Sequence, residues 1–230
     1  MVVVSWNLQG RGPRRLRLTE ACDAWQPDVL LLQEADAERI GSALPPSLGA
    51  RHAWPHAATP PGIVIASRWP LEDVGSVAAG PDPWDRERVC WARLMTRLGP
   101  IVVGAVHLVA PLLPGAPSRR VRQRTAVAAW AEDRRSGGDL LIVGGDFNTV
   151  HPRLPGLTDA SDAAGGSTWR PLATGWLPPV LRLDAIFVSP GLAASGSVDD
   201  RWRGSDHCPV VARIGPAPSV ARPDAMLRGR

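Results

Sequence analysis

The chain contains no lysine and no tyrosine, and only two asparagines and two phenylalanines, in 230 residues. All 26 basic side chains are therefore arginine, the pattern of a GC-rich genome that avoids the codons for Lys, Asn, Tyr, Ile and Phe. Cysteine is scarce too. Cys22, Cys90 and Cys208 are odd in number and widely spread, which argues against a disulfide framework or a cysteine metal site and favours a reduced, cytoplasmic setting. No apolar run approaches the roughly 18–20 residues of a membrane span. The first residues lead straight into a strand-like segment without a basic region or cleavage site, so a cytoplasmic protein is expected unless a longer natural N-terminus carries a leader or tether. The net charge of +4 tolerates a polyanionic substrate without demanding one. The run Arg119-Arg120-Val121-Arg122-Gln123-Arg124 reads first as a solvated helix face.

What is present is a succession of short aliphatic and β-branched runs, divided by loops that draw on 24 prolines and 23 glycines. Strands are predicted at 2–6, 28–33, 62–67, 88–97, 100–107, 139–145, 183–188 and 208–214. Helices are predicted at 14–25 and 118–135, with a weaker helical turn at 35–43. In the longer one, Val121, Thr125, Ala128 and Ala129 recur at helical spacing, with Ser118 as N-cap and Gly137 near the stop. An apolar fraction of 44% suffices for a substantial core. Strands joined mostly by loops predict an α+β layered sandwich rather than a doubly wound parallel sheet. One domain is expected over 1–215, followed by a loosely ordered Pro/Ala/Arg tail at 216–230.

The strand ends carry the chemistry. Asn7 closes the first run, Glu34 follows Val29-Leu30-Leu31-Leu32-Gln33, and Arg68 follows the run ending at Ser67. His107 ends another run, Asp146 and Asn148 stand in Gly-Gly-Asp-Phe-Asn, Asp184 in Arg-Leu-Asp-Ala-Ile-Phe-Val, and Asp206 and His207 in Ser-Asp-His. Any one of these reads equally well as a solvated strand end or a turn residue. In succession they matter more, because the ends of adjacent strands can converge on one mouth. Glu34 and Asp206 are hard oxygen ligands and Asn7 offers a neutral one. A few carboxylates, waters and a substrate phosphate make the ordinary Mg²⁺ arrangement, with Mn²⁺ or Ca²⁺ as alternatives. His52, His56 and His151 read as loop residues, and the ten tryptophans as core and loop anchors.

Longer motifs surround these residues. They are Ser-Trp-Asn-Leu at 5–8, Pro-Asp-Val-Leu-Leu-Leu-Gln-Glu at 27–34, Ile-Ala-Ser-Arg-Trp-Pro at 65–70 and Val-His-Leu at 106–108. Gly-Gly-Asp-Phe-Asn-Thr at 144–149, Ser-Thr-Trp at 167–169, Arg-Leu-Asp-Ala-Ile-Phe-Val at 182–188 and Ser-Asp-His-Cys-Pro-Val at 205–210 complete the set. In this order the chain resembles the endonuclease/exonuclease/phosphatase superfamily, of deoxyribonuclease I-like fold. The resemblance implies a two-sheet sandwich flanked by helices in four α/β/β/α layers, a cleft at one edge, and divalent-metal-dependent phosphoester hydrolysis by a monomer. It implies Glu34, Asn7 and Asp206 as metal ligands and His207 as base, oriented by Asp184. Asp146 and Asn148 would position the attacking water and the phosphoryl group, and His107 would act from the opposite side. Arg68, Arg88 and Arg182 are candidates for contact with the substrate phosphate.

Members resembling exonuclease III typically have an acidic residue two positions beyond the first asparagine and a tyrosine near the phosphate. Here position 9 is Gln9 and tyrosine is absent, which is closer to the branch of deoxyribonuclease I, sphingomyelinases and inositol-phosphate phosphatases. The expected partner is nucleic acid. The alternatives are a phospholipid or a small phosphomonoester such as an inositol phosphate, and a binding module without catalysis. Trp84 and Leu112-Leu113 are candidates for the exposed apolar loop a lipid enzyme would need.

Overall fold

The computed structural model describes residues 1–12, 16–56, 59–80, 85, 88–111, 113, 115–161, 165–171 and 177–218, with backbone alone over 53–56 and 59–61. Two mixed six-stranded sheets face each other. The first contains β1 (Val2–Asn7), β2 (Val29–Ala35), β3 (Ala50–His56), β4 (Thr59–Ser67), β11 (Leu192–Val198) and β12 (Val210–Pro216), in the order β11-β12-β1-β2-β4-β3. The second contains β5 (Leu71–Val77), β6 (Val89–Thr96), β7 (Gly99–His107), β8 (Leu140–Asp146), β9 (Thr158–Asp159) and β10 (Asp184–Val188), in the order β5-β6-β7-β8-β10-β9. Each sheet holds one parallel pair, β1 with β2 and β7 with β8.

Strand alternation sorts the residues into layers. Val3, Val29, Leu31, Val103, Ala105, Ile142 and Ile186 meet between the sheets. On the outer face of the first sheet, α1 (Leu18–Trp25) and α2 (Ala37–Gly41) bury Leu18, Cys22, Trp25 and Ile40 against Val4, Trp6, Leu30 and Leu32. On the outer face of the second, α3 (Ala116–Ser136) buries Val127 and Ala131 against Val102, Val106, Leu141 and Val143. The four-layer α/β/β/α sandwich is the architecture present.

Details differ from expectation. The cap of α3 is Gly115 rather than Ser118, with φ 70°, a left-handed angle that glycine adopts without steric cost. Ser118 lies inside the first turn and donates its hydroxyl to the Gly115 carbonyl. β12 reaches Pro216, so the sheet includes the first residue assigned to the tail. Residues 219–230 of that tail, and 14–15 of the first expected helix, lie outside the described residues. All three cysteines are buried. Among the described residues, no helix is long and apolar enough to cross a membrane.

One close approach sets the geometry at the end of β8. Gly145 has φ +154°, and a Cβ there would lie 1.9 Å from the Val106 carbonyl oxygen on β7. Only hydrogen fits, and the contact seats Asp146 directly opposite His107. Gly145→Ala should therefore lower the unfolding free energy by more than about 2 kcal/mol, through overpacking against backbone that cannot yield. Gly99→Ala, also at positive φ but facing open space, should cost about 1 kcal/mol. Urea titration of both variants is the check, and equal losses would contradict the close-contact argument.

Candidate active site

Asn7, His107, Asp146 and Asp184 share one address. On β1, β7, β8 and β10 they continue the inward-facing series of Val3, Val103 and Ala105, Ile142, and Ile186. Because β1 and β7 end where β10 begins (Asp184 pairs with Asp146), all four lie at one rim of the sandwich. Glu34 is different. Alternation after Leu30 and Leu32 would turn it outward, but the β2–β4 register slips between Gln33 and Ala35, and Glu34 adopts φ 48°. The bulge re-aims its side chain, so that Glu34 Oε1 accepts from Asn7 Nδ2 at 3.2 Å. Asn148 is likewise left-handed, at φ 46°. Non-glycine residues in this region cost conformational energy and cluster at functional sites.

Asp146 is the hub. Its Oδ2 accepts from Asn7 Nδ2 at 3.0 Å and Asn148 Nδ2 at 3.1 Å, and its Oδ1 from the Asn148 amide at 2.8 Å. The imidazoles stand on either side, with His207 Nε2 at 3.7 Å and His107 Nε2 at 3.8 Å from Oδ2. His107 Nε2 also lies 3.7 Å from Glu34 Oε1. His207 Nδ1 makes a 2.8 Å bond to Asp184 Oδ2. Burial raises the pKa of Asp146 to about 7, against the lowering effect of the His207 charge. For His207, burial disfavours the imidazolium. The charges of Asp184 and Asp146 and the bond to Asp184 outweigh that, and push its pKa up to about 10.

The expected ligands Glu34 and Asp206 are of the hard oxygen type that suits Mg²⁺. The amide of Asn7 presents nitrogen to two carboxylates, while its Oδ1 accepts from the Gln9 N–H at 3.0 Å. In this arrangement it donates to Glu34 and Asp146, and the oxygen expected as a metal ligand faces the Gln9 amide. Asp206 Oδ2 accepts from Trp169 Nε1 at 3.2 Å, and its buried Oδ1 has no hydrogen-bond partner among the described residues. A buried carboxylate oxygen without a donor is costly, and a cation would satisfy it. Asp146, Asp184 and His207 bring potential ligand atoms within 4.8 Å of one another. There, however, the His207–Asp184 bond already occupies Nδ1 and Oδ2.

The three arginines separate. Arg68 follows β4, which runs antiparallel to β2, so it lies at the opposite rim from Glu34 and pairs with Asp28 at 3.0 Å. Arg182 is buried, with its guanidinium bonded to Asp159 at 2.5 Å and Ser161 at 2.7 Å. Neither is placed to meet a substrate phosphate. Arg88 is. Its carbonyl accepts from the His107 N–H, and its buried guanidinium, whose pKa burial lowers, lies within the electrostatic reach of Asp85, Arg119 and Glu34. Trp84 and Leu112 lie outside the described residues, and Leu113 is exposed.

Other side chains in the same motifs carry structural duties that spacing alone does not reveal. Thr168 Oγ1 accepts from the N–H groups of Leu183 and Asp184 at 2.9 and 3.0 Å, fixing the start of β10. Ser205 donates to the Asn7 carbonyl at 2.7 Å and accepts from the His207 N–H, while Trp6 Nε1 donates to the His207 carbonyl at 3.0 Å. Arg120, from the run read as a solvated face, donates to the Asn148 carbonyl at 3.0 Å.

A family model described as the Endonuclease/Exonuclease/phosphatase family matches residues 4–207. The chain belongs to that family. Its members hydrolyse phosphoesters, and similar solved structures share its architecture. A mannosyl-6-phosphatase of Bacteroides thetaiotaomicron is 17% identical with a TM-score of 0.75, over 94% of this chain and 99% of its own. An endonuclease/exonuclease/phosphatase of Beutenbergia cavernae is 22% identical with a TM-score of 0.68, over 96% of this chain and 73% of its own. D. rerio TDP2, solved with a single-strand DNA product, is 18% identical with a TM-score of 0.72, over 94% of this chain and 98% of its own. At these identities the likeness is one of fold. No curated protein sequence matches.

Proposed function

We propose that this family member is a divalent-metal-dependent phosphodiesterase acting on nucleic acid. The observation that carries the reading is the pair of imidazoles flanking Asp146, one of them locked to Asp184 at 2.8 Å. Asp184 accepts the Nδ1–H of His207, which leaves Nε2 as the base towards the cleft. A water bonded to both Nε2 and Asp146 Oδ2 would span their 3.7 Å separation and stand ready for in-line attack on phosphorus. As that water attacks, its proton passes to Nε2. His107, across the hub, donates to a non-bridging phosphoryl oxygen, and Arg88 supplies a second cationic contact. Asn7 and Asn148 hold the Asp146 carboxylate in place. Glu34 and Asp206 would hold Mg²⁺, which when bound polarises the phosphoryl oxygen and neutralises charge on the leaving oxygen.

The choice of nucleic acid rests on the arginines. Arg88 and Arg120 reach the rim itself, and Arg119, Arg122 and Arg124 follow along the first turns of α3. The shared fold of TDP2, solved with single-strand DNA, is consistent with this choice. The test is a panel of single-stranded and plasmid DNA, RNA, sphingomyelin, sugar and inositol phosphates and bis-p-nitrophenyl phosphate, each with Mg²⁺ and with EDTA. DNA or RNA should be cleaved only with the metal. KM for the polymer should rise steeply with salt as phosphate contacts displace condensed counterions, while the small diester stays nearly insensitive. Hydrolysis of a phosphomonoester or lipid with no action on nucleic acid would replace this reading.

A further inference from the structure

Beside the rim, on the outer side of the second sheet, α3 and the segment 149–155 border an open cavity of about 370 Å³. Buried Leu108, Phe147 and Leu154 line it. Leu108 follows His107, and Phe147 lies between Asp146 and Asn148, so the cavity adjoins the site through the backbone that carries its residues. The helix contributes Val121, Arg124 and Thr125, on the face next to the Arg120 that holds the Asn148 carbonyl. Val121 is 63% exposed at the cavity, and Arg153 stands on the opposing segment.

The chemistry of this lining is mixed in a particular way. The interior is apolar, and two exposed guanidinium groups border it. A guanidinium forks onto phosphate and stacks on flat rings, so the lining suits a ligand that joins a ring to a phosphate. The volume is at the small end for ligand pockets and suits one ring-bearing unit rather than a long acyl chain.

We propose that this cavity receives the nucleotide next to the scissile phosphate of a single-stranded nucleic acid, with Arg124 and Arg153 on its own phosphate. The inference rests on the phosphodiesterase reading above and adds a specificity site that acts on KM rather than on the chemical step.

The test uses Arg124→Ala, Arg153→Ala and Thr125→Trp, the last filling the cavity. Arg97→Ala, in the turn between β6 and β7 beside Arg68 at the far rim, controls for loss of charge alone. Steady-state kinetics are measured in Mg²⁺ on a single-stranded oligonucleotide and on bis-p-nitrophenyl phosphate. The three cavity variants should raise the oligonucleotide KM about tenfold, in the range of a lost base contact, with kcat and the small diester changed less than about twofold. Arg97→Ala should match wild type. Oligonucleotide cleavage with unchanged KM in the cavity variants overturns the subsite and leaves the phosphodiesterase reading intact. Equal losses on both substrates also overturn it, because the cavity would then only support the catalytic centre. Hydrolysis of the small diester with no cleavage of any oligonucleotide by wild type defeats the nucleic-acid reading and the subsite together.

Discussion

Glu34→Gln should lower kcat/KM for any phosphodiester by at least about 100-fold at a fixed, subsaturating Mg²⁺ concentration. Groups one step removed from a metal already cost about 10–100-fold when lost, and Glu34 would be a direct, charged ligand of an ion with few protein ligands to spare. The substitution keeps shape and hydrogen-bonding length, so Asn7 Nδ2 retains an acceptor at its 3.2 Å position and the fold should be unaffected. Much of the loss should therefore return at high Mg²⁺, with the midpoint of the metal titration moved upward. Binding can be read apart from turnover by calorimetric titration of Mn²⁺, which should weaken in the variant. Wild-type activity in EDTA, or an unmoved metal midpoint in Glu34→Gln, would remove Glu34 from the ligand set.

The second large effect concerns the imidazole on the other side of Asp146. His207→Ala should cost about 10²–10⁴-fold in rate, the range for a positioned general base. Asp184→Asn should lose much of the same factor, because the amide no longer fixes the Nδ1–H tautomer. Since both act through one ring, the double variant should be little worse than His207→Ala alone. A base works deprotonated, and the charges of Asp184 and Asp146 raise the pKa of His207 to about 10, against the effect of burial. The rate should therefore keep climbing with pH well past the ordinary imidazole value of about 6.5. Asp184→Asn removes a charge and a bond that raise this pKa, so its limb should shift to lower pH while its plateau falls. His207→Ala should have no such limb. A pH profile of kcat/KM at saturating Mg²⁺ for the four proteins decides the matter. Additive losses, or a limb that survives without His207, would assign the base elsewhere.

The interior of both sheets was legible because burial on two faces demands continuous apolar runs. Every non-edge strand, from Val2–Asn7 through Val210–Pro216, coincides with such a run. The strands that escaped notice are β3, β5, β9 and β11, which are the four edges. Leu71–Val77 carries Glu72, Asp73 and Gly75, and Leu192–Val198 is mostly alanine, serine and glycine. Half-exposed edges need no apolar run, and charged or small residues there discourage pairing with other chains. The polar residues that meet at one rim were legible for a related reason, since polar residues at the ends of apolar runs stand out. What spacing could not show is direction. The antiparallel course of β4 carries Arg68 to the wrong rim, and the bulge turns Glu34 inward against the alternation of its strand. Likewise, only the packed structure reveals that Arg182 has Asp159 for a counterion.

Trp6 and Ser205 tie the two ends of the chain together, bonding to His207 and Asn7 across 201 and 198 residues of sequence. β1 is central in its sheet and has β12 as its antiparallel neighbour. During synthesis, then, β1 must wait for β12, and neither Asn7 nor His207 can be seated before β12 has left the ribosome. Contacts this distant in sequence close slowly, because the loop entropy is lost before the contacts form. Hydrolytic activity should accordingly appear only once residues 205–216 have been made and have joined β1. Nascent chains stalled before residue 205 would already carry Glu34, His107, Asp146 and Asp184, yet lack His207. The rim is thus complete only when the segment 205–216 has joined β1.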